Sequence, residues 1–300
     1  ATTGTVNISA STTLNGTTAD ELEIVNNTGA TFVTATNYAT TLSYTASVAN
    51  ANIILGDTTG IVTAVVASDS AVNLNTNLTN AITGLDALTL TVSGTSAVAS
   101  DLIGLDGKTS VNVKADGTVT TITGTAANIQ TVVSAATIDT AANVNVTVDS
   151  GTATVAQQIA IDAQTTGTIT ATIAEGDVSS LKTLTASGGV HALTINISDT
   201  SASASDLNTI DSKTSVNVNA SAIENITSSA IADVKTLITN KTTAGIDGNW
   251  NVVVSDTTVS AADAKIVNDA TTGTVNISAS TTLNGTTADV LSIVNDATVT

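Results

Sequence analysis

Residues 1–20 of this chain, ATTGTVNISASTTLNGTTAD, recur letter for letter at residues 270–289. The match runs on as ELEIVNN against VLSIVND, with differences at Glu21/Val290, Glu23/Ser292 and Asn27/Asp296. The second copy begins at Ala270, so the long period is 269 residues. Length is no guide to domain count in such a chain, because a repeat array has no single core and grows by adding units. The expected organisation is one block over 1–269, of about ten strand–helix turns, followed at 270–300 by the start of the next copy. The whole is expected to be a window from a longer polypeptide.

A finer period lies inside the block. Short segments alternate apolar and small polar residues, which puts successive side chains on opposite faces of a strand. Val6 and Ile8 flank Asn7, Val111 and Val113 flank Asn112, and Val144 and Val146 flank Asn145. Ile195 and Ile197 flank Asn196, and Val216 and Val218 flank Asn217. The valines and isoleucines are expected to be buried and the asparagines to face the other way. Strand starts fall near 5, 31, 60, 88, 111, 143, 168, 192, 215, 250 and 274, or about 27 residues per turn.

Between strands lies a cover with helical spacing. Leu22…Val25, Leu102…Leu105, Leu207…Ile210 and Ala264…Val267 repeat at three residues, which is one face of a helix. Hydroxyl–acid pairs at Thr18…Glu21, Ser203…Asp206 and Ser260…Asp263 resemble capping boxes. A Thr-Gly or Thr-Ser pair opens the following strand at Thr3-Gly4, Thr59-Gly60, Thr109-Ser110, Thr166-Gly167, Thr214-Ser215 and Thr272-Gly273. The predicted fold is a β-solenoid-like α/β rod, with short parallel strands alternating with short helices. Tandem β-sandwich domains are the alternative and would need hairpins.

Segments such as SASDLNTIDSKTSVNVNAS and ITGTAANIQTVV resemble the Thr/Ala/Val-rich tandem repeats of giant cyanobacterial cell-surface proteins. The resemblance covers most of the chain. The resemblance implies secretion and a surface or filamentous role, and it transfers no catalytic residue.

Composition excludes several classes. The net charge is −18, and all seven basic residues are lysines. Without arginine or a basic stripe there is no grip on nucleic-acid phosphates. Cysteine, proline and methionine are absent, so there is no disulfide framework and no thiol chemistry. No apolar run is long enough to span a membrane. The single histidine, His191, stands without a G-x-S-x-G elbow and reads as a surface or turn residue rather than part of a triad. No Walker loop or G-x-G-x-x-G is present, and Gly188-Gly189 is the only glycine pair, which argues against a calcium roll.

Acidic turns recur after strands, and Asp57, Asp149 and Asp199 are the candidate calcium ligands among them. The simpler reading is turn chemistry, with each carboxylate accepting local N–H groups. Calcium between neighbouring turns is the only cofactor expected. Mid-strand asparagines are expected to form an amide ladder. The chain is therefore expected to be a non-enzymatic, extracellular structural protein of a filament, sheath or surface layer. The alternative is an adhesin stalk or a ligand- or ice-binding rod. Its expected partner is itself, by homopolymer or lateral packing, with cell-surface polysaccharide a further candidate.

Overall fold

The computed structural model describes residues 4–27, 30–82, 84–240 and 245–300. Thr3 of the first Thr-Gly anchor and Lys241 lie outside them. The chain forms two compact units, Ala1–Ser150 with Gln164–Gly167, and Gly151–Ala163 with Thr168–Thr300.

In the first unit, β1 (Thr5–Asn7) pairs with β3 (Thr31–Val33). The strands β2 (Thr13–Gly16), β4 (Ala39–Leu42), β5 (Val62–Val65) and β6 (Ala87–Thr89) follow one another in a sheet. A second run joins β7 (Ser96–Val98), β9 (Thr121–Gly124) and β11 (Asn145–Val148), and β8 (Val113–Ala115) pairs with β10 (Ile138–Thr140). In the second unit, β12 (Ile169–Thr172) pairs with β13 (Ala192–Thr194). There β14 (Ser201–Ser203), β15 (Asn225–Ser229), β16 (Asn251–Val254) and β18 (Val275–Asn276) form one sheet, and β17 (Thr258–Ser260) pairs with β19 (Thr282–Asn284).

Every one of these pairings is parallel. Thr13 faces Ala39 and Thr121 faces Asn145, so these strands pair with strands 26 and 24 residues further along the chain, a step of one strand–helix turn. Parallel neighbours need a crossover, and a helix supplies it in most turns. Hairpins, which tandem sandwiches require, do not occur among these pairings.

Sequence alternation produces the core. In β5 and the residue after it, Val62, Ala64 and Val66 are buried while Thr63 and Val65 face out. Val113, Val144, Val146, Ile195, Ile197 and Val218 are buried as expected. Asn7, Asn145, Asn196 and Asn217 are exposed, and Asn112 is half-buried. Four expectations of burial are not met: Val111 is 40% exposed and Val216 is 37% exposed, and Val6 and Ile8 are only half-buried. The alternation runs on before the strand itself: β8 begins only at Val113, and Val111 sits in the corner before it. At these corners Thr109 and Thr214 take the interior position. Val6 and Ile8 are half-buried, in and beside the two-stranded β1–β3 pair.

Most turns carry a feature the alternation did not show, a second short strand that leads into the helix. The strands β2, β7, β9, β14 and β17 are of this kind. The helices α1 (Thr18–Val25), α2 (Val48–Asp57), α3 (Ala71–Asn77), α4 (Ala99–Asp106) and α5 (Ala126–Ser134) pack successively in the first unit. In the second unit α6 (Val155–Asp162) precedes α7 (Val178–Leu181), and α7 packs on α8 (Ala204–Asp211). Beyond α8, α9 (Ile231–Thr239), α10 (Ala261–Ala270) and α11 (Thr287–Val294) pack in turn. Leu102, Leu105, Leu207, Ile210, Ala264 and Val267 are buried, as their spacing of three predicts. Each such leucine contributes about 1.5–3 kcal/mol by leaving water.

Eight of the eleven described helices start at a Ser or Thr hydroxyl cap, with one correction to the expected residues. The box on α1 is Thr17 with Asp20, one residue before the expected Thr18…Glu21, while Ser203 and Ser260 cap α8 and α10 as predicted. No described helix is long and apolar enough to cross a membrane.

Candidate functional site

The recurring chemistry of this molecule lies between consecutive turns rather than in one cleft. Its most regular element is a threonine corner. The hydroxyls of Thr58, Thr109, Thr165, Thr214 and Thr271 donate to the carbonyls of Tyr38, Leu88, Val144, Leu193 and Trp250 on the preceding turn. Each hydroxyl also accepts the N–H two residues ahead in its own turn. The next residue reinforces the corner: Thr59, Ser110, Thr166, Ser215 and Thr272 donate both N–H and hydroxyl to one carbonyl of the preceding turn.

Glycine follows in three of the five corners because the backbones nearly touch. A Cβ at Gly60, Gly167 or Gly273 would stand 2.2 Å from a carbonyl oxygen of the preceding turn. The sequence singled out the Thr-Gly dipeptide, but the carrier of the buried bond is the threonine before it at 58, 165 and 271. Tandem Thr-Thr-Gly spacing was the signal.

Other buried polar groups serve the same purpose. Asp86 is fully buried, with Oδ1 accepting the Val62 N–H at 2.9 Å and Oδ2 the Ile82 N–H at 2.7 Å. Thr109 and Thr214 accept the N–H groups of Leu88 and Leu193, each one turn back. His191, expected at a surface or turn, fills an equivalent place and is 1% exposed. Its Nδ1 accepts the Ile169 N–H, which leaves Nε2–H to donate to Asp162 Oδ1 at 2.8 Å. Burial pushes the Asp162 carboxyl upward, but the donors gathered on it, Ser187 N–H and His191 among them, outweigh that and hold it below the usual range. Both imidazole nitrogens are engaged by protein and the ring has almost no contact with solvent. His191 is thus placed to hold two turns together, and no face of it is open to a substrate.

A contrasting buried acid sits in the first copy of the long repeat. Glu21 on α1 is 1% exposed; its Oε1 accepts the Thr40 hydroxyl at 2.9 Å, while Oε2 has no partner among the described residues. Desolvation raises its pKa, and the charges of Asp20 and Asp57 add to the rise. Beside it, the buried Tyr38 hydroxyl donates to Asp57 Oδ2 at 2.8 Å, and desolvation with that bond pushes the phenol far above its usual value.

The three calcium candidates are dispersed. Asp57 closes α2 and accepts Tyr38. Asp149 is exposed just after β11. Asp199, in the second unit, accepts the Val178 N–H at the start of α7 with its Oδ2 at 2.8 Å. Asp256 does the same for Ile231 at the start of α9, which lacks a side-chain cap of its own. These acids cap a helix one turn back, a role with no local sequence signature. Among the described residues no group of three or more His, Cys, Asp or Glu is arranged to hold a metal ion.

On the surface, amides and ions also bridge turns. Asn219 donates to Asn196 at 3.2 Å and Asn251 to Asn225 at 3.1 Å, the contact expected of an amide ladder. Lys114 pairs with Asp139, Lys182 with Asp206 and Lys235 with Asp263, each across neighbouring turns. The Lys114 pairing lowers the pKa of Asp139 and raises that of Lys114.

No protein-family model matches the chain, and no curated protein or solved structure matches it either.

Proposed function

We propose that this chain is an extracellular structural repeat protein that builds a filament, sheath or surface layer, and that each unit is a run of an α/β solenoid. The threonine corner carries the reading. The same threonine-hydroxyl bond joins consecutive turns at five places, spanning 20 or 21 residues each time. Buried polar side chains, costly unless paired, are spent on the backbone of the adjacent turn rather than gathered round a cavity. His191, the residue best suited to acid–base chemistry, is committed to that task.

The sequence resemblance to cyanobacterial surface repeats agrees with this reading, as does an acidic, lysine-only surface that stays hydrated. Self-association and cell-surface polysaccharide are the proposed partners.

Surface proteolysis of intact cells, followed by negative-stain imaging of the released material, tests the proposal. Loss of the protein from intact cells, and filaments or a lattice in the images, are the expected results. Isolated cell-attached fibrils would favour an adhesin stalk. A protease-protected, monomeric protein inside the cell would overturn both.

A further inference from the structure

We infer that Asp116 is a site of spontaneous isoaspartate formation, through ring closure with the backbone nitrogen of Gly117. The site is independent of what the chain assembles into. The chain holds five dipeptides in which glycine follows Asp or Asn: Asn15-Gly16, Asp106-Gly107, Asp116-Gly117, Asp247-Gly248 and Asn284-Gly285. Glycine lacks the Cβ that would hinder attack by its nitrogen on the preceding side chain. Sequence alone favours the two asparagines, because an amide closes the ring faster than a carboxylate does.

The structure reverses that order. Asn15 and Asn284 lie in β2 and β19, where pairing with β4 and β17 holds the backbone extended. Asp106 closes α4, and the Gly107 N–H is committed to the Ile103 carbonyl at 3.2 Å. A backbone held in this way reacts only after local opening. Asp247 is exposed, but the Gly248 carbonyl accepts both the N–H and the hydroxyl of Thr272, which restrains that glycine. Asp116, Gly117 and Thr118 form an exposed bend between β8 and β9. Among the described residues the Gly117 N–H has no acceptor, and a Cβ at Gly117 would meet nothing within 4 Å.

The step balances with water alone. The Gly117 nitrogen attacks Asp116 Cγ and gives up its proton. The C–N bond forms, a Cγ–O bond breaks and one water leaves, which closes a succinimide ring. Water then opens the ring at the former backbone carbonyl carbon of Asp116. The main chain now runs through Cγ, one methylene longer, and the old backbone carbonyl becomes a free carboxylate. The charge is unchanged, and no oxidant or reductant takes part. The exposed bend has room for the extra methylene, so the β8–β10 pairing is retained. The product is an isoaspartyl α-carboxylate, the group that isoaspartyl methyltransferases esterify with S-adenosylmethionine.

The intact chain is incubated at physiological pH and temperature, with and without guanidinium chloride, and its peptides are mapped. Methyl transfer by an isoaspartyl methyltransferase, and resistance to a protease that cleaves before aspartate, locate the product. In the folded chain isoaspartate at Asp116 is expected to form about tenfold faster than at Asp106, and about tenfold faster than Asn15 loses its amide, because those two wait on local opening. In guanidinium Asn15 is expected to overtake Asp116, and Asp106 to match it. Gly117→Ala, for which there is open space, is expected to slow the reaction at Asp116 about tenfold through the added Cβ. Equal rates at Asn15, Asp106 and Asp116 in the folded chain would overturn the inference. So would an unchanged rate in Gly117→Ala, because the Gly117 nitrogen would then not be the attacking atom.

Discussion

Helices α1 and α11 have nearly one sequence and two environments. Each starts at a threonine whose hydroxyl accepts an aspartate N–H, Thr17 from Asp20 and Thr286 from Asp289, both at 3.2 Å. Each ends at an asparagine cap, Asn26 or Asn295. Among the described residues only α1 has a following helix packed upon it. The pair separates what a segment encodes from what its neighbours confer: the helix and its cap are local, and burial belongs to the next turn.

Truncating the shared leucine should break the symmetry most. Leu22→Ala is expected to cost about 2 kcal/mol, toward the low end for a buried leucine because its site is half-buried. Leu291→Ala is expected to stay within about 0.5 kcal/mol, as for a surface change. Urea melts of the two variants at low protein concentration measure the difference. Equal losses would mean that α11 is covered in solution.

Removing the caps should restore the symmetry. Thr17→Ala and Thr286→Ala are each expected to cost about 1 kcal/mol, because the bond lies within the first turn of the helix. Amide exchange along each helix checks this, and a large inequality would contradict the local origin of the cap. The pH sense follows from Asp20, whose bonds with Thr17 lower its pKa. Its contribution is present above the unfolded-state value and is lost as pH falls through the depressed folded value.

Glu21 sharpens the comparison with the opposite sign. Its raised pKa means that stability is complete below the unfolded-state value and declines as pH rises through the folded one. Glu21→Gln keeps an acceptor for Thr40 and removes the charge. It is expected to stabilise the protein by up to about 1 kcal/mol at pH 7 and to have no effect near pH 4. Val290→Glu, on the uncovered helix, is expected to leave stability unchanged at either pH. Paired melts of both variants at the two pH values test the sign.

The smallest effect concerns calcium, because Asp57 closes the helix that covers α1 yet already accepts Tyr38. Either calcium or magnesium should raise the melting temperature slightly by offsetting the net charge of −18. A rise specific to calcium and abolished by Asp57→Asn would instead establish an ion site between turns.

The sequence by itself determined the period, the parallel strand–helix alternation and most of the core. Strict alternation at Val144 and Val146, or spacing of three at Leu207 and Ile210, leaves one face that can be buried whatever surrounds it. Ser203 and Ser260 were legible as caps because their partners lie three residues away. Tertiary structure alone decided the long-range assignments. Val111 and Val216 continue a perfect alternation and are nonetheless exposed, since a threonine two residues earlier fills the corner. His191 looked like a turn residue until Asp162 and the Ile169 N–H met its two nitrogens. Asp199 and Asp256 cap helices one turn back. The physical reason is the same in each case: local pattern fixes the direction in which a side chain points, but what waits there is set by a backbone some 20 to 30 residues away in sequence.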